Sequence, residues 1–147
     1  MSTIKVDTYL TRGGASEIAI DKLKGVSSAG SMLVVAEGGT NTTNLQQGLI
    51  KGWIRFDGTG TIAIDDSFNY ASITDNGSGD YTTTLSTAMG NVNYSPTAGA
   101  GDRNYGAKID LEHSATNTTT AMRLRITSLE ATGDTDLVSI HIAGDLA

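Results

Sequence analysis

The 147-residue sequence predicts a mainly β fold: an antiparallel β-sandwich or jelly-roll-like domain preceded by an extended N-terminal arm and a short helix. Three observations point there. Apolar residues recur at every second position over much of the chain beyond Gly52, the period of a half-buried strand. Eighteen glycines, a single proline and abundant threonine combine a residue that supplies positive-φ turns with one that favours pleated surfaces. Strand-like runs return about every ten residues with polar Gly, Asn and Asp clusters between them, the spacing of a sandwich. The length suits one modest domain with a tail. The division expected is an anchoring arm over 1–39, a helix and linker over 40–51, and a β domain over 52–147.

The arm comes first. Gly13-Gly14, Gly25 and Gly38-Gly39 interrupt short apolar stretches such as Ile4-Lys5-Val6 and Met32-Leu33-Val34-Val35. So glycine-rich a segment cannot bury enough side chain to offset its ordering entropy, and it is expected to fold against a partner. In the next segment, Thr40-Asn41-Thr42-Thr43-Asn44 supplies helix N-cap candidates, and Leu45 and Leu49 follow at i, i+4 spacing. Gly48 weakens that helix by about 1 kcal/mol relative to alanine. A helix this short needs packing for its stability, so Leu45, Leu49 and Ile50 are the expected self-association contact, in a homotrimer.

The strands follow. Trp53-Ile54-Arg55-Phe56 runs into the turn Asp57-Gly58-Thr59-Gly60 and returns as Thr61-Ile62-Ala63-Ile64, a hairpin. Ser72-Ile73-Thr74, the turn Asp75 to Asp80 and Tyr81-Thr82-Thr83-Thr84-Leu85 repeat the pattern. Tyr105, Ala107, Ile109 and Leu111 alternate with Lys108, Asp110 and Glu112; Met122, Leu124 and Ile126 alternate with Arg123 and Arg125; Val138, Ile140 and Ile142 form a last strand that closes the domain. The expected core is Trp53, Phe56, Phe68, Ile109, Leu111, Leu124, Ile126 and Ile140. Segments 95–104, including Asp102, Arg103 and Asn104, and 113–120 read as polar, adaptable outer loops.

Composition and motifs argue against catalysis. The net charge of -6 disfavours a nucleic-acid partner, which needs clustered cations. No run of about 18 apolar residues exists to cross a membrane as a helix; no cysteine is present for disulfide or thiolate chemistry, and zinc is disfavoured because the only two histidines stand far apart with no HExxH-type pair. His113 sits by a polar loop and His141 on an outward strand position, neither within a catalytic motif. Asp75 to Asp80 resembles a calcium loop only in part, because Gly77 and Ser86 occupy the third and twelfth positions where ligands are needed. Asp65-Asp66 point to opposite faces, the wrong arrangement for a glycosidase pair, and Asp110 with Glu112 has no aromatic platform. No cofactor is expected.

One resemblance is specific in wording. Leu45-Gln46-Gln47-Gly48-Leu49-Ile50-Lys51-Gly52-Trp53-Ile54-Arg55-Phe56-Asp57-Gly58-Thr59-Gly60-Thr61-Ile62-Ala63-Ile64, with Ser67-Phe68-Asn69 and Ile73 to Thr82, covers about a third of the chain. It resembles a module of small tail-fibre and virion-appendage proteins of tailed bacteriophages, notably those of marine bacteria and cyanobacteria. The opening Ser2 to Thr8 is similar to the starts of such proteins. The resemblance implies a non-enzymatic, commonly trimeric virion component whose N-terminal part, here Ile4, Val6, Tyr9 and Leu10, fixes it to other virion proteins of tail or capsid. The expected function is a short tail fibre that meets a host receptor or glycan. The alternative is a capsid decoration (cement) protein, suggested by the absence of a long shaft, and a polysaccharide-degrading appendage is less favoured.

Overall fold

A computed structural model describes residues 32–101, 108–111, 117–127 and 133–147. It contains β1 (Leu33–Val35), β2 (Thr42–Asn44), α1 (Leu45–Gly48), β3 (Ile50–Asp57), β4 (Ala63–Phe68), β5 (Tyr70–Gly77), β6 (Asp80–Leu85), β7 (Ser95–Gly101), β8 (Lys108–Leu111), β9 (Ala121–Thr127) and β10 (Leu137–Ala143). Strands β3 to β10 form two antiparallel four-stranded sheets, in the orders β4-β3-β10-β7 and β5-β6-β9-β8, packed face to face as a sandwich. The first sheet holds one pair of consecutive strands, β3–β4, and the second holds two, β5–β6 and β8–β9, while β10 and β7 complete the first sheet after crossings between the layers.

Alternation decides what goes inside. Ile54 and Phe56 of β3 and Val138, Ile140 and Ile142 of β10 meet Tyr81 and Leu85 of β6 and Met122, Leu124 and Ile126 of β9 in one buried cluster. The Phe56 and Tyr81 rings meet edge to face, 5.1 Å apart at 71°, a geometry worth about 1 kcal/mol beyond the area it buries.

Two expected core residues lie elsewhere. Trp53 is only partly buried and Phe68 is exposed. They stand opposite each other on β3 and β4, on the outer face, because the same period that buries Ile54 and Phe56 turns Trp53 outward. Phe56, Leu124, Ile126 and Ile140 are buried to within 1% of completely. Ile109 and Leu111 lie on β8, and their side chains fall outside the described residues.

Three element boundaries also differ from expectation. The helix is a single turn, because Gly48 ends it and Leu49 is already extended at φ -93, ψ 140; Ile50 and Lys51 then begin β3. Residues 95–101 form an edge strand, not a loop: Ala98 and Ala100 pack on the core while Thr97 and Gly99 face outward. Pro96 is tolerated there because an edge strand has one side free of ladder hydrogen bonds. The turn after β5 narrows to Ser78 and Gly79, with Asp75 and Asp80 both inside strands. The C-terminal strand does not close an edge but lies centrally, between β3 and β7.

The crossing from β4 to β5 is fixed by Asn69, the one described non-glycine residue with positive φ, at 60°. Its amide donates to Lys51 O at 2.9 Å and Thr87 O at 3.3 Å and accepts from Thr87 N at 2.7 Å. Asparagine tolerates this left-handed geometry better than most side chains. Next to it, Tyr70 packs into the core with its hydroxyl buried and unpartnered. The neighbouring Thr83 hydroxyl donates to Met122 O at 3.3 Å and acts on Tyr70 only as a weak, opposing polar neighbour. Burial, then the nearby Tyr94 hydroxyl, pushes the Tyr70 hydroxyl up well beyond its ordinary range. Removing an unsatisfied buried polar atom relieves a desolvation penalty, so Tyr70→Phe is expected to leave stability unchanged or raise it by up to about 1 kcal/mol. A denaturant midpoint clearly below the native one would count against that account.

Candidate functional site

Four elements build an apolar corner where the chain enters the sandwich. Asn44 caps α1, its side chain accepting from Gln47 N at 3.2 Å. Gln47 in turn donates to the Asp145 carboxylate at 3.3 Å and 3.4 Å, which ties the turn to the C-terminal segment. That segment is held by Gly90 N to Asp145 O at 2.7 Å and Ala147 N to Ala88 O at 3.0 Å. Between them opens a cleft of about 370 Å³ lined by Gln46, Leu49, Ile50, Lys51, Phe68 and Leu146.

Leu49, Ile50, Phe68 and Leu146 are 54%, 52%, 54% and 42% exposed. Four large apolar side chains half in water gather around one cleft, and such clustered exposure, unlike single scattered apolar residues, is what marks an interaction surface. Lys51 does not offset this polarity deficit. It is buried in a bulge of β3, with its ammonium donating to Gln46 O and to Leu49 O at 2.9 Å. Leu45 is partly buried, so of the three expected contact residues Leu49 and Ile50 are the accessible ones.

The β1–β2 ribbon leads into this corner. Its turn carries Gly38 at φ 69, Ala36 N donates to Asn41 O at 2.9 Å, and Leu45 N donates to Met32 O at 2.8 Å. Leu33, Val34 and Val35 are all exposed. A two-stranded ribbon with no buried side chain is at best marginal in water. The expected anchoring residues Ile4, Val6, Tyr9 and Leu10 lie outside the described residues.

A second cluster stands on the outer side of the other sheet. Asp80 is paired in register with Arg125. Its carboxylate accepts from Arg123 Nε at 2.8 Å and Nη2 at 2.5 Å, from Arg125 Nε at 3.2 Å and from Asn76 Nδ2 at 3.3 Å. The Arg123 hydrogen bond, more than any other influence, draws Asp80 down to about 2. Asp75 Oδ1 is taken by Gly77 N at 2.8 Å. The acidic oxygens of this turn therefore serve the fold.

The remaining chemistry-bearing residues do not converge. Asp65 is the extra residue of a bulge in β4 and pairs with Arg55 at 3.0 Å, whereas Asp66 accepts from Ser67 N at 2.8 Å. His141 is exposed on the outer face of β10, opposite Trp53 and Thr97. Asp102, Arg103, Asn104 and His113 lie outside the described residues. Residues 117–120, expected to be an adaptable tip, are pinned instead. Leu85 N donates to Thr120 O at 2.7 Å, Met89 N to Thr119 O at 2.8 Å and Tyr94 OH to Thr118 O at 3.1 Å.

No helix among the described residues is long and apolar enough to cross a membrane. Among those residues no group of three or more His, Cys, Asp and Glu side chains is placed to hold a metal ion. What the described residues do present to solvent is the apolar corner of Leu49, Ile50, Phe68 and Leu146. The corner was half visible in the sequence as Leu45, Leu49 and Ile50, but Phe68 and Leu146 join it through tertiary contacts that have no local signal. Comparison of the chain with protein-family models, with curated proteins and with solved structures finds no match.

Proposed function

We propose that this chain is a non-enzymatic structural protein of a bacteriophage particle, a short tail fibre or adsorption appendage that self-associates as a homotrimer. The observation that supports this reading is the apolar corner of Leu49, Ile50, Phe68 and Leu146, placed where the N-terminal segment joins the sandwich. Covering those side chains with a second and third copy would remove apolar surface from water at the point where an anchoring arm has to leave the domain. The sandwich then points outward, with the arm toward other virion proteins.

A second reading, capsid decoration, draws on the exposed Leu33, Val34 and Val35 of the ribbon, a segment suited to lie across a neighbouring capsid subunit. Locating the protein on particles by antibody labelling separates the two. Label at the tail tip supports the fibre, and label spread over the head supports decoration.

Self-association is tested on the isolated protein. Light scattering should give three times the 15.2 kDa chain mass, and the Leu49→Asp, Leu146→Asp double variant should shift that mass to one chain while retaining a β-rich circular dichroism spectrum. A native protein that stays monomeric at micromolar concentration overturns the trimer.

A further inference from the structure

Asn76 is the only asparagine of the chain that is followed by glycine. A carboxamide in that position is open to attack from its own backbone, because glycine has no Cβ to block the approach and lets the peptide turn. How the fold holds the two residues decides whether the attack occurs.

Three features at the end of β5 leave this pair free to react. Asn76 is the extra residue of the bulge between Asp75 and Gly77, so no residue of β6 stands opposite it, and β5 is an edge strand. Bulges of this kind disrupt the ladder locally. Gly77 holds φ 131, a Cβ there would meet no described atom within 4 Å, and both residues are exposed. The peptide therefore has room to rotate, and water has access. Lastly, Gly77 N donates to Asp75 Oδ1 at 2.8 Å, which sets a carboxylate on the proton that the nitrogen must lose before it attacks. The target group is held meanwhile, with Asn76 Nδ2 donating to Thr82 Oγ1 at 2.8 Å and to Asp80 Oδ1 at 3.3 Å.

Asp57-Gly58 offers the contrast within the same chain. Gly58 is buried, its N–H donates to Thr135 O at 2.9 Å, and a Cβ there would strike the Tyr81 hydroxyl. Asp57 Oδ1 accepts from Thr59 N at 2.7 Å and from Thr59 Oγ1 at 2.6 Å. That pair is locked.

We propose that Asn76 is a site of self-modification, at which Asp75 serves as the base for deamidation through a succinimide. Asp75 takes the proton from Gly77 N, and the nitrogen lone pair forms a bond to Asn76 Cγ. The Cγ–Nδ2 bond then breaks, and Nδ2 takes up a proton and leaves as ammonia. Water opens the ring at either carbonyl to give aspartate or isoaspartate, so each event consumes one water and releases one ammonia with no change of oxidation state. The product carboxylate no longer donates to Asp80 and sets a like charge beside it, while isoaspartate also lengthens the backbone by a methylene. Conversion thus weakens the β5–β6 end of the domain as the molecule ages. This assignment goes beyond the virion reading and does not depend on it.

The native protein is aged in mildly alkaline buffer and followed by peptide mapping, which separates asparagine, aspartate and isoaspartate at each position. Asn76 is expected to convert ahead of every other asparagine while Asp57 stays unchanged, and the aged protein to unfold at a lower denaturant midpoint. Asp75→Asn keeps an oxygen for Gly77 N but is no base. It should slow the conversion about tenfold or more in the folded protein and leave the rate in concentrated denaturant unaltered. The proposal is overturned if Asn76 stays intact in the aged native protein, if Asp57 isomerises as fast as Asn76 deamidates, or if folded Asp75→Asn reacts at the native rate. Equal slowing of the folded and the denatured chain also overturns it, since the geometry at Gly77 N would then play no part. An unchanged midpoint after conversion overturns the bracing of Asp80 by the carboxamide.

Discussion

Gly79→Ala is expected to lower the free energy of unfolding by about 3–5 kcal/mol, combining left-handed strain with displacement of packed backbone. Gly79 holds φ 67, and a Cβ there would lie 2.7 Å from Ile126 O, 2.8 Å from Gly133 N and 2.9 Å from Gly133 O. All three obstacles are backbone, so no side chain can swing aside. The glycine also anchors a polar network at this end of the sandwich. Gly79 N and the Tyr81 hydroxyl both donate to Asp134 Oδ1 at 2.7 Å, Ile126 N donates to Gly79 O at 2.7 Å, and Gly58 N donates to Thr135 O at 2.9 Å. Moving Gly79 disturbs the two bonds it makes itself and, through the shared Asp134 Oδ1, the one from Tyr81. Gly60→Ala supplies the control, because Gly60 has a similar φ of 63 with nothing within 4 Å of its would-be Cβ. It should cost only the conformational part, about 1–2 kcal/mol. Equal losses for the two variants in chemical denaturation would show that close packing at Gly79 contributes nothing.

Asp80→Ala should cost about 2–3 kcal/mol at neutral pH, somewhat below the loss from breaking a fully buried pair because both arginines keep partial access to water. Their side chains are 29% and 43% exposed, against 12% for Asp80. The same carboxylate makes the fold acid-sensitive, in a direction set by its lowered value. Asp80 ionises at about 2 in the fold against 3.8 ordinarily, so the folded state binds the proton less readily than the unfolded chain. Its contribution is complete above about pH 4 and is lost as pH falls through 2, on the order of 2 kcal/mol. Denaturant midpoints of the native protein and Asp80→Asn should therefore differ at pH 7 and converge near pH 2. A gap of constant size at both pH values would place the effect in shape and not in charge.

How much of this was legible in the sequence depended on whether the signal was local. Period-two runs in which inward residues are large, as in β9 and β10, announced their strands and their buried face. β7 went unread because its inward residues are Pro96, Ala98 and Ala100 and its outward ones Ser95, Thr97 and Gly99. Small side chains weaken the contrast on which periodicity depends, although alternation of alanine with glycine and threonine was there to be seen. Phe68 misled through size. A phenylalanine is usually interior, but its face is set by its pairing with Trp53 across β4 and β3, and the bulge at Asp65 breaks the count along β4. The row of Phe68, Trp53, His141 and Thr97 was invisible for a different reason: it exists only once β10, from the far end of the chain, is laid between β3 and β7. The Asp80 cluster likewise needed the β6–β9 pairing to bring Arg123 and Arg125 beside a residue that had looked like part of a turn.

That central position of β10 also governs how the domain can form in time. β3 and β7 touch only through β10, so the first sheet has no continuous hydrogen-bonded order until residues 137–143 have emerged from the ribosome. The second sheet can assemble its β5–β6 hairpin early and add β9 later, whereas β3 must keep its open edge through the synthesis of some eighty further residues. Contacts separated so widely in sequence slow folding, and an unpaired strand edge that carries Ile54 and Phe56 is a ready site for association with the wrong chain. Correct folding and misassembly are therefore competitors for a newly made molecule, and the rate at which β10 docks decides between them.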